Sequence, residues 1–406
     1  MVGSDTMAHH QTTRRFVTLL LALLAMLVLT NRASAQELVI PPGEPLRVGV
    51  LLDGVDPTFE SGHASWLGLA LAVEERPALQ IDGRNIDVDV LASDSACDAQ
   101  AAAAIAARFA ARGDLLAIIG PNCSSACQAA APFFEEATLT SLSPSCTAPT
   151  LTEQGYASFH RLASNDRLLT ERAARFLMEN GAGDRIALLY SSDANPVFYQ
   201  GLAAQMTAEI AARGGEIVSL IALTAATPFE TLRTALETVA PQQLFCACEP
   251  EAAAALLAAL ADTPLEGLPL MGAELSWIDA LQDLAPNAAE GTYVISGAAA
   301  PSAALAALEA RLTERFGQAL IEPYFSNAYD AYQLVLDTAA AVAILEEDGT
   351  LRIDRRAFRA AIRATQGYVG ASGTFHCDAR GDCLRSPSNI YQVQDGELIL
   401  LHTYDD

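Results

Sequence analysis

Short apolar runs alternate with longer helical stretches along most of this 406-residue chain. The first series has apolar runs at 46–52, 86–92, 115–119 and 139–143, separated by helix-forming segments such as the alanine-rich stretch 99–112. Strands that are apolar throughout are typical of a parallel sheet covered by helices on both faces. The pattern therefore predicts an α/β protein built on doubly wound parallel sheets.

A second series of the same kind begins after Arg161. Its apolar runs are 185–190, 216–223, 243–248, 268–273 and 292–296. The segment 303–364 is mostly helical, and strand-like pieces follow at 373–377, 389–393 and 397–402, the last two joined by the turn residues Asp395 and Gly396. Two series in a chain of this length predict two lobes.

The first 35 residues have the pattern of a signal peptide. Arg14 and Arg15 precede the apolar segment Phe16 to Leu29, and Ala33-Ser34-Ala35 supplies small residues for cleavage. The sequence thus predicts export to the periplasm through a cleaved signal peptide, the alternative being an anchor that is never cleaved.

Charge and residue usage exclude several function classes. The chain has 24 basic and 49 acidic side chains, for a formal charge of -25, which argues against binding a phosphate backbone. Every basic side chain is arginine. Because lysine is absent, Schiff-base chemistry and the lysine-bearing phosphate loop are excluded. We expect no nucleic-acid partner.

Signatures of catalysis and cofactors are missing from the sequence. Beyond the leader, His63, His160, His376 and His402 are not spaced as metal ligands, and no Gly-x-Gly-x-x-Gly follows the first strand. We predict no cofactor, no metal and no enzymatic activity.

Eight cysteines in an exported protein are expected to pair partly or wholly. Cys246 and Cys248 point to one face of a strand, which leaves three interpretations open. A disulfide with another cysteine and two buried thiols are both favoured over a metal site, because no second pair stands at zinc spacing.

Small polar residues follow the first-lobe strands, at the edge where doubly wound sheets bind ligands. They occupy 61–66, 122–125 and 145–147. Hydroxyls and free backbone N–H groups at a helix start can bind a carboxylate. The alternative is ordinary helix capping by Ser124 or Ser125.

Four segments resemble the periplasmic substrate-binding proteins of ABC importers, specifically the leucine/isoleucine/valine-binding type. They are Asp94 to Asp98, Ile119 to Ser125, Ser143 to Thr152 and Leu270 to Glu274. The resemblance implies a type I periplasmic binding fold, with two doubly wound parallel-sheet lobes joined by a three-crossover hinge. The implied lobes are 46–163 with 298–386, and 164–297 with 387–406.

The resemblance also implies site residues and one disulfide. Ser124 and Thr147 would hold a ligand carboxylate beside the backbone of Ser145 and Cys146, and Glu274 would pair with a ligand ammonium. The implied disulfide joins Cys97 to Cys123. Position along the chain adds two inferred pairs, Cys127 with Cys146 and Cys377 with Cys383.

Departures from the family pattern concern aromatic residues. Ser61 and Cys248 stand where the family places aromatic side chains, whereas Phe198 matches the aromatic that covers the ligand. Trp66 and Trp277 could fill the space left by the lost rings, although a tryptophan at such a position is more often part of the core than of a pocket. These departures predict an amino-acid-like ligand in a reshaped pocket.

Three functions follow as hypotheses. The first is a monomeric receptor that delivers an amino acid or a related small amine-carboxylate to an ABC permease in the inner membrane. The second is a sensor of the same fold that feeds a signalling partner. The third is a secreted cysteine hydrolase, which requires a reactive thiol.

Overall fold

The computed structural model describes residues 37–53, 60–273, 275–297, 301–317 and 324–405. The predicted signal peptide, residues 1–35, lies outside this part of the chain. None of the helices in the described ranges is both long and apolar enough to cross a membrane.

Eighteen strands are present in the described ranges. They are β1 (Glu37–Ile40), β2 (Leu46–Leu51), β3 (Ala78–Ile81), β4 (Arg84–Ser93), β5 (Leu115–Ile119), β6 (Thr140–Ser143), β7 (Phe159–Arg161), β8 (Arg185–Ser191), β9 (Glu216–Leu223), β10 (Gln243–Ala247), β11 (Leu270–Ala273), β12 (Tyr293–Gly297), β13 (Ile344–Leu345), β14 (Leu351–Asp354), β15 (Gln366–Val369), β16 (Thr374–His376), β17 (Ser388–Gln394) and β18 (Glu397–Tyr404).

Twelve helices are present in the same ranges. They are α1 (Glu60–Glu75), α2 (Ala99–Arg112), α3 (Ser124–Glu136), α4 (Thr150–Glu153), α5 (Asp166–Asn180), α6 (Pro196–Ala212), α7 (Phe229–Val239), α8 (Pro250–Leu260), α9 (Leu275–Leu284), α10 (Ala303–Phe316), α11 (Tyr324–Val342) and α12 (Arg355–Arg363).

The first lobe is built on a six-stranded sheet in the order β3-β4-β2-β5-β6-β7. All its pairings are parallel except β3 with β4. Strand β2 contributes residues to core clusters on both faces of this sheet. Val48 and Val50 pack in a cluster with Tyr332 on one face, whereas Leu51 packs with Phe109 on the other. Burial on both faces explains why these strands are apolar throughout.

The second lobe is built on a seven-stranded sheet in the order β9-β8-β10-β11-β12-β17-β18. Strands β8 to β12 are parallel, and the C-terminal hairpin β17–β18 adds two antiparallel strands. Asp395 and Gly396 both have positive φ, as the predicted hairpin turn requires. The prediction of two α/β lobes with parallel sheets is confirmed.

Three connections join the two sheets. The chain leaves the first sheet after β7, leaves the second after β12, and returns to it at β17. The lobe boundaries 46–163 with 298–386, and 164–297 with 387–406, stay a prediction. Strand β16 lies within the predicted strand-like piece 373–377, whereas its partner β15 and the sheet β1-β14-β13 were not indicated by the apolar pattern.

Candidate functional site

The carboxyl ends of β5 and β6 place two polar loops side by side. Ser143 Oγ donates a hydrogen bond to Pro121 O (2.6 Å), and Ser145 Oγ donates to Asn122 O (3.0 Å). Because parallel neighbouring strands end at the same sheet edge, residues 121–125 and 144–149 form one wall of a cleft.

Ser124 and Thr147 lie together on this wall. Both are buried, and Ser124 Oγ accepts a hydrogen bond from Ala148 N (3.3 Å). A hydroxyl that accepts one hydrogen bond still has its own proton to donate, so Ser124 can bind a carboxylate oxygen. The capping alternative does not apply, because the N-cap of α3 is Cys123 and the hydroxyls of Ser124 and Ser125 accept instead from Ala148 N and Val197 N.

The backbone N–H groups of Ser145 and Cys146 are already engaged. Both donate to Ser143 Oγ, at 3.4 and 2.9 Å. Their predicted contact with a ligand carboxylate therefore requires shared hydrogen bonds, and it stays a prediction. Ser124 and Thr147 carry the carboxylate assignment more directly.

A small cavity lies where the three connections between the lobes come together. It encloses about 20 Å³, which is space for one small polar group. Thr147 and Phe198, both predicted site residues, line it from opposite lobes. The other lining residues are Ala163, Ser164, Asp166, Leu169, Gly297, Tyr324, Asn327 and Ser386.

Asp166 is the charged residue of this cavity, and the sequence reasoning missed it. Its side chain is 2% exposed, and Oδ2 has no hydrogen-bond partner among the described residues. Burial raises the pKa of Asp166 to about 7, while a hydrogen bond with the Thr147 side chain and the charge of Arg161 oppose that rise. A buried carboxylate with a free oxygen suits a ligand that brings a positive charge.

A weak sequence signal for Asp166 existed. It follows the N-cap Asn165, whose side chain accepts a hydrogen bond from Arg167 N (3.0 Å). An acid at this position is ordinarily explained by the helix dipole, so the sequence alone did not separate the two roles.

The second lobe carries another acid at its cleft edge. Glu249 directly follows β10 and Cys248, and its carboxylate hydrogen-bonds with Ser191. Burial raises the pKa of Glu249, and the Ser191 hydrogen bond opposes the rise. Glu249 is not among the residues that line the cavity.

The remaining predicted site residues lie either in core clusters or outside the described part of the chain. Glu274 and the side chain of Ser61 lie outside the described residues. Trp66 is half-buried and packs on first-lobe core clusters that include Phe325. Cys248 is buried in a second-lobe core cluster.

All eight cysteines form disulfides with one another. Three pairs are Cys97–Cys123, Cys127–Cys146 and Cys377–Cys383, the pairings expected from the sequence. The fourth joins Cys246 to Cys248, which was not among the favoured interpretations. Cys246 and Cys248 are two positions apart at the end of β10, so their side chains lie on the same face of the strand and can bond to each other.

One group of potential metal ligands occurs in the described part of the chain. Asp53, Cys97 and Cys123 have ligand atoms within 4.8 Å of one another. Both sulfurs are bonded to each other, and a metal requires thiolates, so this group does not form a metal site. Asp53 instead accepts hydrogen bonds from the backbone and hydroxyl of Ser95 (2.9 and 2.6 Å).

The two lobes touch directly beside the cleft. Ser125 N donates to Asn195 Oδ1 (3.0 Å), and Val197 N donates to Ser125 Oγ (3.1 Å). These bonds connect the start of α3 in the first lobe with the start of α6 in the second. Adjacent serines thus differ in role, since Ser124 faces the loop 145–149 and Ser125 faces the other lobe.

Comparison with known proteins gives relatives of the same architecture. The Leu/Ile/Val-binding protein of Escherichia coli (strain K12) is 27% identical over 180 residues, which is 40% of this chain and 48% of that protein. This chain thus spans about half the length of that relative.

Solved structures agree in fold over nearly the whole chain. A leucine binding protein from Thermotoga maritima has a TM-score of 0.74 at 21% identity, covering 88% of this chain and 98% of that one. A solute binding protein from R. palustris, solved in complex with benzoate, has a TM-score of 0.70 at 16% identity, covering 88% and 96%. Identities this low support the fold alone.

Residues 45–397 match the sequence model of the periplasmic binding proteins. That range includes the first sheet, the second sheet up to the start of β18, the three connections and the cavity described above. This chain therefore belongs to the periplasmic binding protein family.

Proposed function

We propose that this protein is a periplasmic receptor that captures an amino acid or a related small amine-carboxylate and delivers it to an ABC permease. The observation that carries the proposal is the cavity at the lobe connections, where the Thr147 hydroxyl and the free oxygen of Asp166 come together. The Ser124 hydroxyl, which lies beside Thr147, can donate to a carboxylate, and the free oxygen of Asp166 can accept from an ammonium, while the Thr147 hydroxyl hydrogen-bonds with Asp166.

The carboxylate end of the ligand is assigned to the first lobe. Ser124 and Thr147 supply hydroxyls, and Ser124 stands in the first turn of the 13-residue helix α3. The partial positive charge at a helix N-terminus favours an anion at this position.

The ammonium end of the ligand is assigned to Asp166, with Glu274 as the predicted second acid. A desolvated ammonium needs a charged or strongly polar partner. An ammonium bound at Oδ2 would satisfy an acceptor that has no partner among the described residues.

The relatives support this ligand class. The E. coli relative is a Leu/Ile/Val-binding protein, and a solved structural neighbour is a leucine binding protein. A cysteine hydrolase is disfavoured, because all eight sulfurs are in disulfides and such an enzyme needs a thiolate. Export to the periplasm and a monomeric state belong to the same proposal.

A thermal-shift panel with matched ligands tests the proposal. Leucine is compared with leucinamide, which lacks the carboxylate, and with 4-methylpentanoate, which lacks the ammonium; benzoate is included because one structural neighbour binds it. A ligand at 100 times its Kd adds about 2.7 kcal/mol of stability. We expect one or more amino acids to stabilise the protein, and their amides and deaminated analogues to bind more weakly and to stabilise it less.

Two outcomes would contradict the proposal. Equal stabilisation by 4-methylpentanoate and leucine would remove the ammonium subsite. Stabilisation by no amine-carboxylate across an amino-acid panel would remove the ligand class altogether.

A further inference from the structure

Arg161 is a buried arginine that the proposed ligand contacts do not use. It ends β7, immediately before the first connection between the lobes, and its exposed fraction is 0%. A guanidinium in such a place must have its donors satisfied by the protein.

The guanidinium of Arg161 holds the cleft loop from behind. Nη1 donates to Cys146 O (3.0 Å) and to Ala148 O (2.8 Å), the carbonyls on either side of Thr147. Nη2 donates to the Thr152 hydroxyl (2.7 Å), just past the same loop. Fixing the carbonyls of the residues before and after Thr147 holds the backbone at Thr147 and so restricts where its side chain can lie.

Asp382 holds Arg161 in turn. Its Oδ1 accepts from Nε of Arg161, and its Oδ2 accepts from Thr152 Oγ1 (3.3 Å) and from Asn165 Nδ2 (3.4 Å). Asp382 therefore neutralises the buried guanidinium and also touches the residue that precedes Asp166. The contact spans 221 residues of sequence.

A disulfide-closed loop, residues 377–383, presents Asp382. Cys377 and Cys383 close it, and Asp378 Oδ1 accepts from the backbone N–H of Asp382 (3.0 Å). The loop is joined to β7 by two backbone bonds, Arg161 N to Gly381 O (2.9 Å) and Cys383 N to Arg161 O (3.1 Å).

Gly381 is required for this close approach. It has φ +98°, and a Cβ there would lie 2.3 Å from Phe159 O. Only glycine combines that conformation with that proximity.

We propose that Arg161 is a positioning residue for the ligand-carboxylate subsite, and that the disulfide-closed loop 377–383 sets its position through Asp382. The inference rests on the proposed function, since it concerns the same site. It makes ligand affinity depend on a disulfide whose cysteines do not line the cavity.

Arginine is specifically required by this arrangement. Its planar fork reaches two carbonyls, a hydroxyl and a carboxylate at once, whereas an ammonium is a compact point charge on a flexible chain. Arg161→Lys keeps the charge but cannot make all four contacts.

The test uses the full mature protein with four variants: Arg161→Lys, Asp382→Asn, the double variant Cys377→Ser/Cys383→Ser, and the control Arg355→Lys. Arg355 is also a buried arginine of the first lobe that donates to backbone carbonyls. Its acceptors, Leu115 O (3.0 Å from Nε) and Gly113 O, lie at the opposite, amino-terminal edge of the sheet.

Three readouts are taken on each variant: Tm, Kd for the amino acid found by the panel, and Kd for its carboxamide. We expect Asp382→Asn and the cysteine double variant to raise Kd for the carboxylate ligand roughly tenfold or more, a change of about 1.4 kcal/mol per factor of ten. Binding of the carboxamide should change little. Arg355→Lys should lower Tm and leave both Kd values unchanged.

Hydrogen exchange gives a readout that needs no ligand. The amides of Ser145 and Cys146, bonded to Ser143 Oγ, should exchange faster in Asp382→Asn than in wild type and remain protected in Arg355→Lys. Wild-type protection and wild-type Kd in folded Asp382→Asn would overturn the inference. If wild-type protein binds no amine-carboxylate, the proposed function fails, and the exchange experiment still decides whether Arg161 and Asp382 order the loop.

Discussion

Replacing Asp166 with asparagine gives the sharpest test of the ligand site. The substitution keeps the shape of the side chain and removes its charge. Burial raises the pKa of this carboxyl from 3.8 to about 7 in the folded protein. A difference of this size corresponds to about 4 kcal/mol, at 1.36 kcal/mol for each pKa unit.

The sign of the stability effect follows from proton counts. Between pH 3.8 and about pH 7 the folded protein holds a proton on Asp166 that the unfolded chain has released. The free energy of unfolding therefore falls as the pH rises through this window. At pH 8 Asp166→Asn should be more stable than wild type, by at most about 4 kcal/mol, because the amide is also buried without full partners.

Ligand affinity should depend on pH in the direction opposite to that of the free energy of unfolding. An ammonium at Oδ2 favours ionised Asp166, so below pH 7 binding releases one proton from the protein. Kd of wild type should rise roughly tenfold for each pH unit lowered from 7 to 5. Asp166→Asn should bind more weakly at pH 8, and its Kd should be nearly independent of pH.

Calorimetry in buffers of different ionisation enthalpy counts the released proton directly. The control is Glu249→Gln, a second acid whose pKa is raised by burial but which does not line the cavity. It should keep the wild-type dependence of Kd on pH. Binding without proton release at pH 6, or the same pH dependence in Asp166→Asn and wild type, would refute the assignment of Asp166.

Three further substitutions test the site. Ser124→Ala should raise Kd for a carboxylate ligand by a factor of roughly 2 to 10, the value of one hydrogen bond, and should lower Tm, because the buried Ala148 N–H loses its acceptor; an unaltered Kd would contradict the carboxylate contact. Ser125→Ala removes the bond from Val197 N to Ser125 Oγ and keeps the backbone bond from Ser125 N to Asn195 Oδ1, so the unliganded protein should become more extended by small-angle scattering, and an unchanged scattering profile would show that the Oγ bond does not hold the lobes together. Glu274→Gln should weaken binding of an amino acid while far-UV circular dichroism and Tm stay as in wild type, and normal affinity would remove Glu274 from the site.

The sequence by itself determined the architecture. Burial of a strand on both faces demands apolar residues at consecutive positions, and this demand is visible locally. The strands at 115–119 and 216–223 were predicted with the bounds that the structure has, as was the alanine-rich helix 99–112. The cleft wall formed by residues 121–125 and 144–149 could also be predicted from the sequence. Parallel strands end at one edge of a sheet, and this brings Ser124 and Thr147 together.

Only the tertiary structure decided what lies behind that wall. The roles of Asp166, Arg161 and Asp382 depend on burial and on partners far away in sequence, the last two being 221 residues apart. In the sequence, Asp166 is indistinguishable from an ordinary acid at a helix start, and Asp382 from a turn residue between two cysteines. Their surroundings are created when the three connections meet, and the energy of a charge is set by its surroundings rather than by its neighbours along the chain.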